Sequence, residues 1–174
     1  MEWMLMPLRR YAEFSGRSRR KEYWMFFLFQ MLVYIAVLLL LSIFGGAAVL
    51  SGDPTSIAAA GGAALIIMLL YGLFSLVLLI PGIAVTVRRL HDTNRTGWWL
   101  LAPIVPYIAM FLAAGMLAGS PENAGLAGVI MMIAGFAVFA LAITLFVFLV
   151  LDGTKGPNKY GDDPKGPDHA QVFA

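Results

Sequence analysis

A chain of 174 residues is long enough for one soluble domain, but 60% hydrophobic side chains, 13% charged ones and a mean hydropathy of +0.83 are the values of a protein that lives in lipid. The absence of cysteine excludes disulfides, thiol catalysis and thiolate-bound metals. A formal net charge of +2 says little; where the twelve Lys and Arg residues fall says a great deal.

Residues 2–14 predict an amphipathic helix in the headgroup plane. At helical spacing Trp3, Met4, Leu8, Tyr11 and Phe14 share one face, while Arg9, Arg10 and Glu13 gather on the other. Gly16 and Ser18 then mark a turn within the basic cluster Arg17, Arg19, Arg20 and Lys21, and Tyr23 and Trp24 open an interfacial aromatic belt. Four runs free of Asp, Glu, Lys, Arg and His follow, at 23–50, 63–87, 98–118 and 124–151. Each is near or above the roughly 20 residues a helix needs to cross a hydrocarbon core.

Residues 51–62, with the turn signal Gly52-Asp53-Pro54, predict an outer loop. Pro81 in the second run predicts a kink and freed backbone carbonyls, and Pro103 and Pro106 make the third run irregular at its start. Between these runs lies a polar loop, Arg88 to Trp99, ending in the interface anchors Trp98 and Trp99. Ala124 and Gly128 open the fourth run as a small-xxx-small pair suited to close helix packing. The Gly/Pro/Asn/Asp-rich stretch 152–164 predicts turns, and 165–174 a flexible tail.

Six basic residues precede the first run, three lie in the loop after the second, and three follow the fourth, while 51–62 and 119–123 hold none. Four crossings put every cation on one side, which the positive-inside rule makes the cytoplasm. The predicted fold is thus an all-α integral membrane protein. Residues 1–164 form one domain of four transmembrane helices plus an N-terminal interfacial amphipathic helix, with both termini cytoplasmic.

No ionisable Asp, Glu, Lys, Arg or His lies inside a run, which argues against ion-coupled carriers and intramembrane proteolysis. Asp152 to Asp163 lacks the acidic spacing and terminal Glu of an EF-hand. His91-Asp92 is too small a constellation for a metal or acid–base site, so no metal, cofactor or catalytic residue is assigned. Planar guanidinium groups suit phosphate. Arg17, Arg19, Arg20, Arg88, Arg89 and Arg95, with His91 and Asp92, therefore form a candidate surface for an anionic headgroup or a partner. Alternatively Asp92, Asp152, Asp162 and Asp163, braced by Asn158 and Tyr160, neutralise these cations and lock the face into a salt-bridged plate. Both readings stand at this point.

Three segments together, GRSRRKEYW at 16–24, RRLHDTNRTGWW at 88–99 with the prolines beyond it, and GPNKYGDDP at 156–164, resemble the DUF805 family of small bacterial inner-membrane proteins. The resemblance covers about 14–164. It implies a multi-helix inner-membrane protein with these motifs on the cytoplasmic side, and it implies no established reaction. The reading that follows is a non-enzymatic binding or scaffold protein whose Arg/Asp-rich face engages anionic lipid headgroups or a membrane subunit, as a homo-oligomer or an accessory to a larger complex. An uncoupled small-solute pore or carrier is the alternative, prompted by the prolines of the second and third runs. A headgroup-modifying enzyme using His91 and Asp92 is a further one. No nucleic-acid module is visible.

Overall fold

The computed structural model describes residues 2–166, and these are all helix, turn and loop apart from one isolated bridge between Asn158 and Gly161. The chain runs through α1 (Glu2–Arg9), α2 (Arg20–Ser51), α3 (Pro54–Asp92), a 3-10 turn at Gly97–Leu101, α4 (Ile104–Gly119) and α5 (Ala124–Val150). Four segments, Arg20–Ser51, Pro54–Asp92, Gly97–Gly119 and Ala124–Val150, are long and apolar enough to cross a membrane. They expose large apolar side chains such as Leu65, Phe111 and Phe136 along their length, as lipid contact requires and water would penalise.

Several boundaries differ from the sequence expectation. The N-terminal helix ends at Arg9 rather than at residue 14, and Pro7 sits inside it. The expected outer loop at 51–62 shrinks to Gly52-Asp53, because Asp53 acts as the cap of α3. Its carboxylate accepts the Thr55 and Ser56 N–H groups at 3.3 and 3.0 Å, and Pro54, lacking an N–H, suits the first helical position. These bonds, with one from the Thr55 hydroxyl, hold the Asp53 carboxyl below the usual aspartate range. Gly52, at φ +67°, supplies the left-handed conformation the link needs. Arg88 and Arg89 lie near the end of α3, as their charge suggests, and the helix runs on through His91 and Asp92, which the sequence places in the connection that follows.

Two compact units emerge. Among the described residues, one holds 2–14 together with Lys21–Val85, the other Ser15–Arg20 together with 86–166. In the first, Phe26 of α2 packs with Leu78 and Val85 of α3, and Leu8, Tyr23 and Phe29 cover them. Helix α3 continues through Pro81, whose missing N–H leaves the Val77 carbonyl four residues back without its helical donor. The Tyr11 hydroxyl donates to that carbonyl at 2.7 Å. The freed carbonyl expected from the sequence is therefore present, and a side chain from the N-terminal segment serves it.

In the second unit α4 packs against α5. Pro103 and Pro106 interrupt the hydrogen-bond ladder at the entry of α4, so residues 97–101 wind as 3-10 before the α-helix starts at Ile104.

A buried arginine–aspartate centre as candidate functional site

The second unit brings the three polar segments together around Asp92, in the last turn of α3. Its carboxylate is buried between two guanidinium groups. Arg17 donates from Nε to Oδ1 at 3.0 Å, with its Nη2 2.9 Å from the same oxygen as an ion pair, while Arg89, one helical turn back, pairs through Nη1 with Oδ2. Arg17, Arg89 and Asp92 are 6%, 0% and 4% exposed, so water supplies almost none of their solvation. One carboxylate cannot cancel two cations, and backbone carbonyls take up the remainder. Arg17 donates to the carbonyls of Gly156 at 2.7 Å and Thr154 at 2.5 Å. Arg89 donates from Nε to the Leu149 carbonyl at 3.1 Å and from Nη2 to that of Leu151.

The Arg89 bonds have a specific cause. The last four carbonyls of a helix have no intrahelical donor, and the negative end of its dipole favours a cation. Arg89 caps α5 at Leu149 and Leu151, and Arg20 caps the carbonyl between them, that of Val150, at 3.0 Å while pairing with Asp152. In lipid such carbonyls must be satisfied within the protein.

The tail closes over the centre as a set of turns. Thr154 donates its N–H at 2.9 Å to the Asp92 carbonyl, and Asn158 donates from Nδ2 to the His91 carbonyl at 3.0 Å. Gly153 lies so close to Asp92 that a Cβ there would fall inside the carboxylate. The His91 ring stacks on Tyr160 with centroids 3.8 Å apart and planes 4° from parallel. Its Nδ1 lies 3.2 Å from the Gly16 carbonyl, which can only accept, so that nitrogen carries the proton. Asp163 accepts the Gly156 N–H at 3.0 Å and the Lys165 N–H at 2.9 Å, and these bonds hold its carboxyl below the usual range.

Of the other candidates, Arg19 donates to the Pro164 carbonyl. Arg88 is wholly buried, and its carbonyl accepts the Ser18 N–H at 3.1 Å. Asp152 is exposed, paired with Arg20 and, at 3.7 Å, with Lys165. Asp162 is exposed and bridges nothing among the described residues. Arg95 forms no ion pair with Asp92 among the described residues, and its guanidinium carbon lies 3.8 Å from the centroid of the Phe148 ring. Among the described residues no group of three or more His, Asp or Glu side chains could hold a metal ion. The residues that sequence reasoning passed over are Gly16, Gly153, Thr154 and the carbonyls ending α5. Only the recurrent glycines of DGTKGPNKYG marked the tail as a close-packed turn.

Direct hydrogen bonds join 15–20, 88–96 and 152–164.

A family model described as "Protein of unknown function (DUF805)" matches residues 11–162. The chain belongs to the DUF805 family. It is 32% identical over 165 residues to the inner membrane protein YhaI of Escherichia coli K12, covering 95% of this chain and 97% of that one. To the inner membrane protein YhaH of the same organism it is 31% identical over 165 residues, 95% and 98% of the two chains. A 96-residue match at 41% identity joins it to the uncharacterized E. coli protein YiiR, over 52% of this chain and 58% of that one. No solved structure matches. Together with its four apolar helices, these relatives make this DUF805 protein a multi-pass inner-membrane protein.

Proposed function

We propose that the chain is a non-enzymatic scaffold of the inner membrane, one membrane domain whose basic cytoplasmic face engages anionic lipid headgroups. The observation that carries this reading is the grouping of all twelve basic residues into three stretches of sequence, with hydrogen bonds joining 15–20, 88–96 and 152–164. The short links between α2 and α3 and between α4 and α5 hold Asp53 and Glu122 and no cation. By the positive-inside rule the basic side is cytoplasmic, and α1, with Arg9 at its end, lies in the headgroup layer.

Within that face the buried arginines and the exposed lysines do different work. Arg17 and Arg89 spend their donors on Asp92 and on carbonyls, so they hold the face together. Lys21, Lys155, Lys159 and Lys165 are exposed, and only Lys165 has a carboxylate near it, Asp152 at 3.7 Å among the described residues, so a headgroup layer can reach them. Asp92, committed to two guanidinium groups, makes no bond to His91 among the described residues, which gives the enzymatic alternative no support.

Each basic side chain near an anionic surface contributes about 1 kcal/mol, so replacing all four lysines by Gln is expected to weaken cardiolipin retention by up to about 10³-fold. Native mass spectrometry of the protein released from mixed cardiolipin–phosphatidylcholine micelles reads this directly. Cardiolipin retention equal in the parent and the four-lysine variant would overturn the headgroup reading.

A further inference from the structure

Arg95 differs from the other arginines of the three segments. Arg17, Arg19, Arg20 and Arg89 donate to acceptors within the chain, and Arg88 is wholly enclosed. Arg95 is only half-buried and forms no ion pair among the described residues. One of its five donors is committed, Nη1 to the Thr93 carbonyl at 3.0 Å. The group is nevertheless held in place. Its guanidinium carbon lies over the Phe148 ring, 3.8 Å from the centroid, and Trp99 meets the same ring edge-on, with centroids 5.2 Å apart.

The backbone beneath Arg95 is fixed as well. Its N–H donates to the Leu90 carbonyl at 2.9 Å, and Asn94 before it takes the left-handed φ of 59°. Two residues on, Gly97 sits where a Cβ would meet Val87 at 2.9 Å, so the loop is pressed against the end of α3. Trp98, beside it, is 77% exposed at the start of a membrane-spanning segment, where an indole ring lies at the depth of lipid headgroups.

We infer that Arg95, seated on Phe148 and followed three residues on by the exposed Trp98, is a single-headgroup site for the phosphodiester of an anionic phospholipid. The physical reason is economy of ordering. A guanidinium fork matches two phosphate oxygens, and stacking on an aromatic ring has already removed most of its rotamer freedom. The exposed indole supplies apolar contact to the lipid's glycerol region. This deepens the headgroup reading above by naming one site, and it rests on that reading.

The test uses the full chain carrying Trp3→Phe and Trp24→Phe, so that emission comes from Trp98 and Trp99 alone. It is reconstituted in phosphatidylcholine nanodiscs doped with phosphatidylglycerol, and quenching by brominated phosphatidylglycerol is compared with quenching by brominated phosphatidylcholine. The parent is expected to favour the anionic quencher. In R95Q this preference falls by about fivefold, the effect of one basic group near the surface, while R95K, which keeps the charge, retains part of it. An unchanged preference in R95Q overturns the site. If the four-lysine variant still loses cardiolipin retention in that case, the broader headgroup reading stands without this site. If the tryptophans report added inorganic phosphate equally well in pure phosphatidylcholine discs, the site takes a free anion, and the lipid assignment falls.

Discussion

Replacing Asp92 by Asn keeps the volume of the side chain and removes its charge, leaving Arg17 and Arg89 side by side in a space almost without water. Removing one partner from a buried ion pair typically costs about 3–5 kcal/mol, because the other charge is left uncompensated. Here two charges are left. The carbonyls of Thr154, Gly156, Leu149 and Leu151 soften this, so the lower part of that range is the sound estimate. At about 1.4 kcal/mol per tenfold, roughly 3 kcal/mol raises the population in which the tail has come away by about 10²-fold. The bonds that hold the tail run through this centre, so its opening is the event to measure. With limiting trypsin on detergent-solubilised protein, cleavage at Lys155 and Lys159 tracks the open population. Asp152→Asn is the control: that carboxylate is 70% exposed, and an exposed pair contributes no more than about 1 kcal/mol. Cleavage accelerated to the same small degree in both variants would refute the claim that Asp92 is the linchpin of the three segments.

Gly153→Ala drives a methyl group into the same carboxylate, so about 1–3 kcal/mol of overpacking is expected to speed the same cleavage, more than a Gly166→Ala change does. Tyr11→Phe strips the donor from the Val77 carbonyl at a cost of about 1 kcal/mol, lowering the melting midpoint by about 2–4 °C for a chain of this size; an unchanged midpoint would mean the carbonyl finds another donor. Asp163 binds its proton less readily folded than unfolded, so the stability it lends is present above its ordinary pKa of 3.8 and lost as the pH falls through the lower folded value. Exchange protection of the Gly156 and Lys165 amides, corrected for intrinsic rate, should hold from neutral pH to the ordinary aspartate range and decline below it, and Asp163→Asn should lower it at neutral pH and flatten that step.

Much of this architecture could be read without coordinates, because lipid imposes simple rules. Uninterrupted apolar runs located the four spans, and basic residues outside them marked 16–24, 88–99 and 156–164 as polar segments. The ends of the elements were harder. Asp53-Pro54 serves equally as a turn signal and as a cap with its first helical residue, and only tertiary context chooses the second. Within the site, pairing by charge pointed to Asp92 but could not choose it over Asp152, Asp162 or Asp163, which differ from it in burial rather than chemistry. Most arginine donors go to carbonyls, and no side-chain pattern announces a carbonyl. Arg89 reaches α5 because that helix ends at Val150 beside it, a fact of packing. The lock and the ligand surface, alternatives when read from sequence, become separable once burial divides Arg17 and Arg89 from Arg95 and the lysines.

A cytoplasmic headgroup face requires that the hydrogen-bonded segments lie in the cytoplasm. Single cysteines at Ser15, Thr96 and Lys155, all exposed in a chain that has no cysteine of its own, can be challenged in intact spheroplasts with a membrane-impermeant maleimide, beside cysteines at Thr55 and Glu122. The first three should stay unlabelled until the membrane is broken while the last two react at once. Labelling of any of the first three from outside would contradict the topology and remove the cytoplasmic headgroup face.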